Sequence, residues 1–531
     1  MRSTATTTTP RVLIALSVVV AVFSLLPLAY LLIHVATGNR QTVINTLTSP
    51  RTLALLWNSA FLVVAVTGFA MIIGVGLAWL TERTDLPGRS VWRIAGALPL
   101  AMPSYVAAYA WISTTPLEGA WGSVLVLTGS TFPYVYLSSA AALRGAGGTL
   151  EEVSSSLGRG RWTTFARVTW PTVRPGAAAG ALLVATYALS DFGSVALMRF
   201  DVFTRAVFMS YRASFDRLPA AALACVLVAM TLLITLAEMR TRSRAASLGT
   251  AQGPKRPPAP LPLGRWRWPA LGAVTLVLLV SLGYPVLVVI GWLVRDLATG
   301  LPAELPMVVW QTVFVCAIAA ALATLAALPL GIYAARSRSG LSRMVQHVVY
   351  FAHGLPGLVV ALAMVFFGIR YARAIYQEIP LLVITYVLLL LPAAMGAIRG
   401  AVIVSSPRIE DAARSLGAGT GLVLRRVTLP LALPGISAGF VLVMLSAMKE
   451  LPATLLLRPA GFETLATRLW LNTEELAYAD AAPYALGLVL VAIVPAIMLV
   501  RVSLPRTDST RRAGVWRASR PRNSTQRSGG G

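Results

Sequence analysis

Two stretches decide how this chain reads: EEVSSSLGRGRWTTFARVTWPTVRPGAAAG, Glu151 to Gly180, and EDAARSLGAGTGLVLRRVTLPLALPGISAG, Glu410 to Gly439. They align without a gap at a constant offset of 259 residues, which sets Glu151 opposite Glu410, Leu157 opposite Leu416, Gly158 opposite Gly417, Arg167 opposite Arg426, Pro171 opposite Pro430, Pro175 opposite Pro434 and Gly180 opposite Gly439. Upstream, a shorter offset of 253 pairs Trp57 with Trp310, Arg83 with Arg336 and Pro103 with Pro356. Self-similarity over this length means that one structural plan is used twice.

Each copy has a local reading. Val153 and Leu157, or Ala412 and Leu416, fall at i and i+4 and make a short amphipathic helix. Gly158 or Gly417 can take the positive φ that turns the chain. Trp162, Phe165 and Val168, or Leu424 and Val427, then form a second apolar face ahead of the proline. The pattern predicts a small helix-turn-helix, structured enough to dock a partner.

The surroundings of the two copies are those of a membrane protein. Of 531 residues 56% are hydrophobic and only 12% charged, about half the charged share of a soluble domain, and the mean hydropathy is +0.73. Apolar runs near 12–36, 53–80, 92–113, 121–143, 174–198 and 219–238, then 269–294, 308–334, 345–369, 379–398, 433–457 and 481–502, predict twelve spans, six per half. The net charge of +25 would point to nucleic acid in a soluble chain; here topology accounts for it. With the N-terminus inside, roughly three quarters of the basic residues fall on inner segments, so both termini and both repeat loops are expected in the cytoplasm. The first span reads as an uncleaved signal anchor. Residues 1–238 and 269–502 are thus two transmembrane halves. Between them 239–268, with its PKRPPAPLP core, reads as a basic cytoplasmic linker, and 503–531 as a disordered basic tail able to touch anionic lipid. Cys225 and Cys316 lie in apolar runs, and His34, His347 and His353 form no ligand-spaced set, so neither a disulfide framework nor a metal site is expected.

The two loops, about 148–172 and 405–431, resemble the cytoplasmic signature of permease subunits of binding-protein-dependent ABC importers: E-A-A, three residues, G, nine residues, I-x-L-P. The second copy reads DAARSLG, nine residues, VTLP, from Asp411 to Pro430; the first reads EVSSSLG, nine residues, VTWP, from Glu152 to Pro171. Departures are Asp411 for Glu, Val153 and Ser154 for the two alanines, Val168 and Val427 for Ile, and Trp170 for Leu, and they weaken the first copy more. The resemblance implies an all-α integral membrane fold of two tandem six-span bundles (type I, MetI-like). It implies that Glu151, Glu152, Leu157, Gly158, Pro171, Glu410, Asp411, Ala412, Ala413, Leu416, Gly417 and Pro430 form loops coupling to two copies of an ATPase. The chain itself cannot be that motor. Its only lysines, Lys255 and Lys449, stand outside any G-x-x-x-x-G-K-[ST], so ATP and magnesium are expected on the partner, with no cofactor here.

Past each G-x-x-x-G, Gly176 with Gly180 and Gly435 with Gly439, charge interrupts an apolar span: Ser190-Asp191-Phe192-Gly193 opposite Lys449-Glu450-Leu451-Pro452, with Arg199 opposite Arg458. Ionisable groups at membrane depth are costly and line a wet path or pair with one another. Asp191, Lys449, Glu450, Arg199 and Arg458 are therefore candidates for a translocation path or for an interhelical ion pair. The segments Ser190–Val207 and Met448–Trp470 are similar to those of fused ferric-iron importer permeases, which implies an extracytoplasmic binding protein that selects the cargo; fused thiamine and other small-solute permeases are neighbours. The competing class is a twelve-span secondary carrier, whose glycine, acidic and arginine loop is loosely matched by GLAWLTERTDLPGRS, Gly76 to Ser90. That match is missing from the second half, whereas the repeat loop is present in both. A membrane enzyme finds no paired histidines, activated nucleophile or clustered carboxylates to work with.

Overall fold

A computed structural model describes residues 11–146, 149–213, 216–248, 260–295 and 300–503; the tail read from 503 onward lies almost wholly outside these. The described elements are helices, apart from an isolated bridge between Thr84 and Leu261. The two halves repeat helix for helix. Pro50–Arg83 answers to Leu305–Arg336, Ser104–Ile112 to Gly357–Tyr371, Gly119–Ala146 to Ile379–Val404, Trp170–Ser190 to Leu429–Met448, and Leu218–Leu248 to Tyr478–Ser503.

Seven helices among the described residues are long and apolar enough to cross a membrane, or nine if each bent pair is one span, against the twelve runs read from sequence. Four of the twelve runs are broken within the structure. The run 92–113 is a short helix to Ala95, a 3-10 turn Leu98–Ala101 and then Ser104–Ile112, with Pro99 and Pro103 at the breaks. The run 345–369 bends by 94° where Gly354 and Pro356 separate its two helices. The runs 174–198 and 433–457 each stop, at Ser190 and Met448, before a further short helix, Gly193–Leu197 or Pro452–Leu457. A proline lacks the N–H and clashes with the preceding turn, and broken backbone is tolerated at membrane depth only inside protein or against a cavity. Every residue from Ser104 to Ala110 is buried accordingly.

The glycine pairs bring helices into close contact. A Cβ on Gly180 would stand 2.6 Å from Val135 Cα, and one on Gly176 2.8 Å from the Ser138 carbonyl. Gly435 and Gly439 meet Ala401 and Ala397 in the same way. Small residues are what let backbones approach without a hydrophobic drive between helices in lipid.

The halves also exchange their first spans. Arg11–Ser24 and Leu26–Thr37 pack on Leu305–Arg336, Gly340–His353 and Gly357–Tyr371 of the second half. Tyr284–Arg295 packs on Ser104–Ile112 of the first, where Trp292 Nε1 donates to Ser113 Oγ at 3.0 Å and the Thr114 and Tyr284 hydroxyls lie 2.6 Å apart. The segment read as a linker is shorter than expected, because its preceding helix continues to Leu248. Its far end is pinned: Leu261 N donates to the Arg83 carbonyl at 2.8 Å, and Leu263 N to Asp85 Oδ1 at 2.8 Å.

Replacing Gly180 by leucine should cost about 1–3 kcal/mol or more through overpacking. The measurement is the melting temperature of the purified protein in detergent. It should fall for Gly180→Leu and stay unchanged for Gly68→Leu, where an added Cβ meets nothing within 4 Å.

Candidate functional site

Both repeat loops stand at one end of the bundle, beside the C-termini of Pro50–Arg83 and Leu305–Arg336. Each is a helix, a left-handed glycine, a helical turn and a π-helical foot. The first is Thr149–Ser156, Gly158 at φ 72°, Arg161–Thr164 and Phe165–Thr169; the second is Pro407–Ser415, Gly417 at φ 85°, Thr420–Val423 and Leu424–Thr428. A Cβ at either glycine would meet nothing within 4 Å, so conformation, and not space, is what the glycine supplies.

The apolar residues of these helices face outward. Leu157 is 70% exposed and Leu416 89%, and Glu152, Asp411, Ala412, Pro171 and Pro430 are exposed around them, with Ala413 half-buried. Glu151 lies on the first helix; its side chain falls outside the described part of the structure. Glu410, on the second loop's helix, turns inward. Its side chain is 4% exposed and accepts from Arg336 Nη2 at 2.6 Å, Arg336 Nε at 3.1 Å and Thr428 Oγ1 at 2.9 Å, with Arg414 at 3.4 Å. One carboxylate thus joins the end of a long span, the loop helix and the foot of the next span. The Gly76–Ser90 loop is likewise structural: Glu82, also 4% exposed, pairs with Arg93 at 3.0 Å and Arg144 at 3.2 Å.

At mid-depth the breaks of both halves meet around a cavity of about 330 Å³, lined among others by Ser104, Tyr105, Asp191, Gly357, Lys449 and Glu450. Ser130 and Leu390, near the midpoints of Gly119–Ala146 and Ile379–Val404, mark its level. Asp191 is saturated: Ser104 Oγ donates to Oδ2 at 2.5 Å, and Ser194 donates to Oδ1 through its backbone N at 3.0 Å and its hydroxyl at 2.5 Å. Glu450 accepts from Ala453 N, at 3.4 Å. Lys449 reaches into the other half, where Nζ donates to the Leu100 carbonyl at 2.5 Å. Among the described residues no ion pair joins Lys449 to either carboxylate.

Arg199 and Arg458 do not line this cavity. Arg199, held at φ 54°, pairs with Glu118 at 3.3 Å and lines a smaller pocket of about 140 Å³ farther from the loops. Arg458 pairs with Glu463 and donates to the Phe462 carbonyl at 3.2 Å, bracing a hairpin. Phe192, Phe208 and Trp470 separate that pocket from the cavity, with ring centroids 4.6 Å apart for the first two and 5.1 Å for Phe192 and Trp470. Toward the loops, a wider space of about 590 Å³ is framed by Leu183 and Leu442, one from each half. Ser104, Tyr105, Ser194 and the aromatic layer were not singled out from sequence. The 253-residue offset that aligns Pro103 with Pro356 would have set Ser104 against Gly357.

The chain matches the family described as binding-protein-dependent transport system inner membrane component twice, over 70–240 and 327–505. It belongs to that family. The two matches begin after the exchanged first spans, so the shared core is what each half contributes to its own bundle. The chain is 35% identical over 480 residues to the Fe(3+)-transport system permease protein FbpB 2 of Haemophilus influenzae, covering 89% of this chain and 95% of that one. It is 27% identical to the sulfate permease CysW and 29% to the molybdenum permease ModB of Escherichia coli, over 35% and 26% of this chain and 70% and 69% of theirs. This permease is therefore a multi-pass membrane component of a binding-protein-dependent transport system, with two such domains in one polypeptide.

Because Glu410 is an internal brace, Glu410→Ala should cost about 3 kcal/mol by removing one partner of a buried pair. The exposed Asp411→Ala should cost about 0–1 kcal/mol. Thermal unfolding of the two purified variants, side by side, checks the contrast.

Proposed function

We propose that this permease is the translocating subunit of an ATP-driven ferric-iron importer, with both repeat loops and both termini in the cytoplasm. Two copies of an ATPase grip the loops, and a solute-binding protein delivers cargo at the opposite face. The observation that carries the reading is the pair of matching knobs, Leu157 beside Gly158 and Leu416 beside Gly417, exposed on one face at the feet of the spans that frame the cavity. ATP and magnesium act on the partner subunits. Closure of those subunits draws the knobs together, and Glu410 passes the motion to Leu305–Arg336 and to the foot of Leu429–Met448.

Cargo identity draws on the iron permease, a relative aligned along almost the whole chain, and on the charge of the cavity. Two carboxylates, Asp191 and Glu450, face one ammonium, Lys449. Such a lining favours a cation and opposes the oxyanions carried by the sulfate and molybdenum relatives.

Uptake in vesicles containing the permease, its cognate ATPase and its binding protein tests the class and the cargo together. Iron uptake should stop on ATP depletion and survive an uncoupler; the reverse pattern would make the chain a secondary carrier, and uptake of thiamine in place of iron would reassign the cargo. For the docking, the double variant Gly158→Val and Gly417→Val should abolish copurification of the ATPase. The asparagine pair should retain it, since asparagine tolerates the left-handed conformation.

A further inference from the structure

The two halves present equivalent carboxylates to the cavity in unequal states. At the offsets that relate the halves, Asp191 corresponds to Glu450, Ser104 to Gly357 and Ser194 to Ala453. Both hydroxyls that close Asp191 are therefore missing around Glu450. Gly357 leaves bare backbone there, and a Cβ on it would stand 2.8 Å from Glu450 Oε1. Among the described residues no donor reaches Glu450 Oε2. Tyr105, 3% exposed, lines the same cavity, and among the described residues its hydroxyl has no partner. A buried phenol and a carboxylate left open in one cavity are uncompensated polar groups, which native structures rarely keep without a use.

We propose that Glu450 and the Tyr105 hydroxyl form a transient site for a hard, multiply charged cation, and that Asp191, the equivalent carboxylate, is a structural cap that does not bind it. The assignment rests on the reading of the chain as a cation importer. Carboxylate and phenol oxygens are the donors such cations take. No three His, Cys, Asp or Glu side chains converge among the described residues, so the site has too few charged ligands to trap its cargo, as passage requires. Lys449 donates to the Leu100 carbonyl across the halves, and among the described residues it makes no ion pair with Glu450, whose outer oxygen stays open to the cavity.

Terbium(III), a hard trivalent ion whose luminescence is sensitised by nearby tyrosine, is the probe, titrated into the detergent-purified full chain. Glu450→Gln should weaken the sensitised binding by about tenfold or more, the scale on which ligand-shell changes act. Tyr105→Phe should weaken it severalfold. Asp191→Asn, which lowers the negative charge of the cavity but removes no donor to the ion, should weaken it clearly less than Glu450→Gln does. The double variant Gly357→Ser and Ala453→Ser, which supplies Glu450 with the hydroxyls that Asp191 has, should weaken binding like Glu450→Gln without removing a charge. Monodisperse gel filtration admits each variant to the comparison. Sensitised binding that survives Glu450→Gln unchanged, or that is lost through Asp191→Asn in folded protein, overturns the proposal. In vesicles, Glu450→Gln should cut cargo flux while ATP hydrolysis stimulated by the binding protein persists. Iron uptake at the parent rate by that variant would remove the site and leave the importer intact. Glu450-dependent terbium binding in a chain that proves to carry another cation would keep the site and change only its cargo.

Discussion

Hydrocarbon cannot hydrogen-bond a broken helix, and the rest of the structure follows from that constraint. The chain breaks near Pro103, after Ser190, before Pro356 and after Met448, and all four breaks converge on the protein interior, away from lipid. Side chains then supply what the backbone has lost. Asp191 takes the Ser194 N–H, Glu450 takes that of Ala453, and Thr204 and Thr454 donate to the Asp191 and Glu450 carbonyls at 2.8 and 2.6 Å. Lys449 satisfies the Leu100 carbonyl across the interface. The polar residues that make the centre of the molecule hydrophilic are thus the same ones that make its interrupted spans affordable.

Much of this was legible before any coordinates. The repeat declared the duplicated bundle, the helix-turn-helix and its left-handed glycines, because turn chemistry and amphipathic spacing are local. The close contacts of Gly180 and Gly439 were equally visible as small residues spaced a turn apart. Hydropathy also found the apolar runs, but it averages over about twenty residues and so cannot see a proline that splits one. Runs such as 345–369 were therefore read as single spans.

What the sequence could not disclose was which way polar side chains turn. Glu410 and Asp411 are neighbours with the same charge, yet one is a buried brace between three elements and the other is exposed, a difference set by the distant Arg336. Arg199 and Arg458 align as neatly as Asp191 and Glu450 but serve a surface pair and a hairpin. Symmetry of sequence position did not carry over to symmetry of environment. The serines that distinguish Asp191 from Glu450 are ordinary residues whose meaning appears only when the two halves are superimposed on one cavity.

The exchanged first spans bear on how the molecule is made. Leu26–Thr37 finds one support in Leu218–Leu248 of its own half, but the partners of Arg11–Ser24 begin only at Leu305, roughly 280 residues later, a separation that burdens assembly with slow, long-range closure. Until that point the nascent first bundle carries a loosely seated helix at its flank and lacks the cover that Tyr284–Arg295 will bring. Each bundle finishes the other. Translation that stalls within the second half would therefore strand an incomplete product whose defect lies at its own beginning, a natural target for membrane quality control.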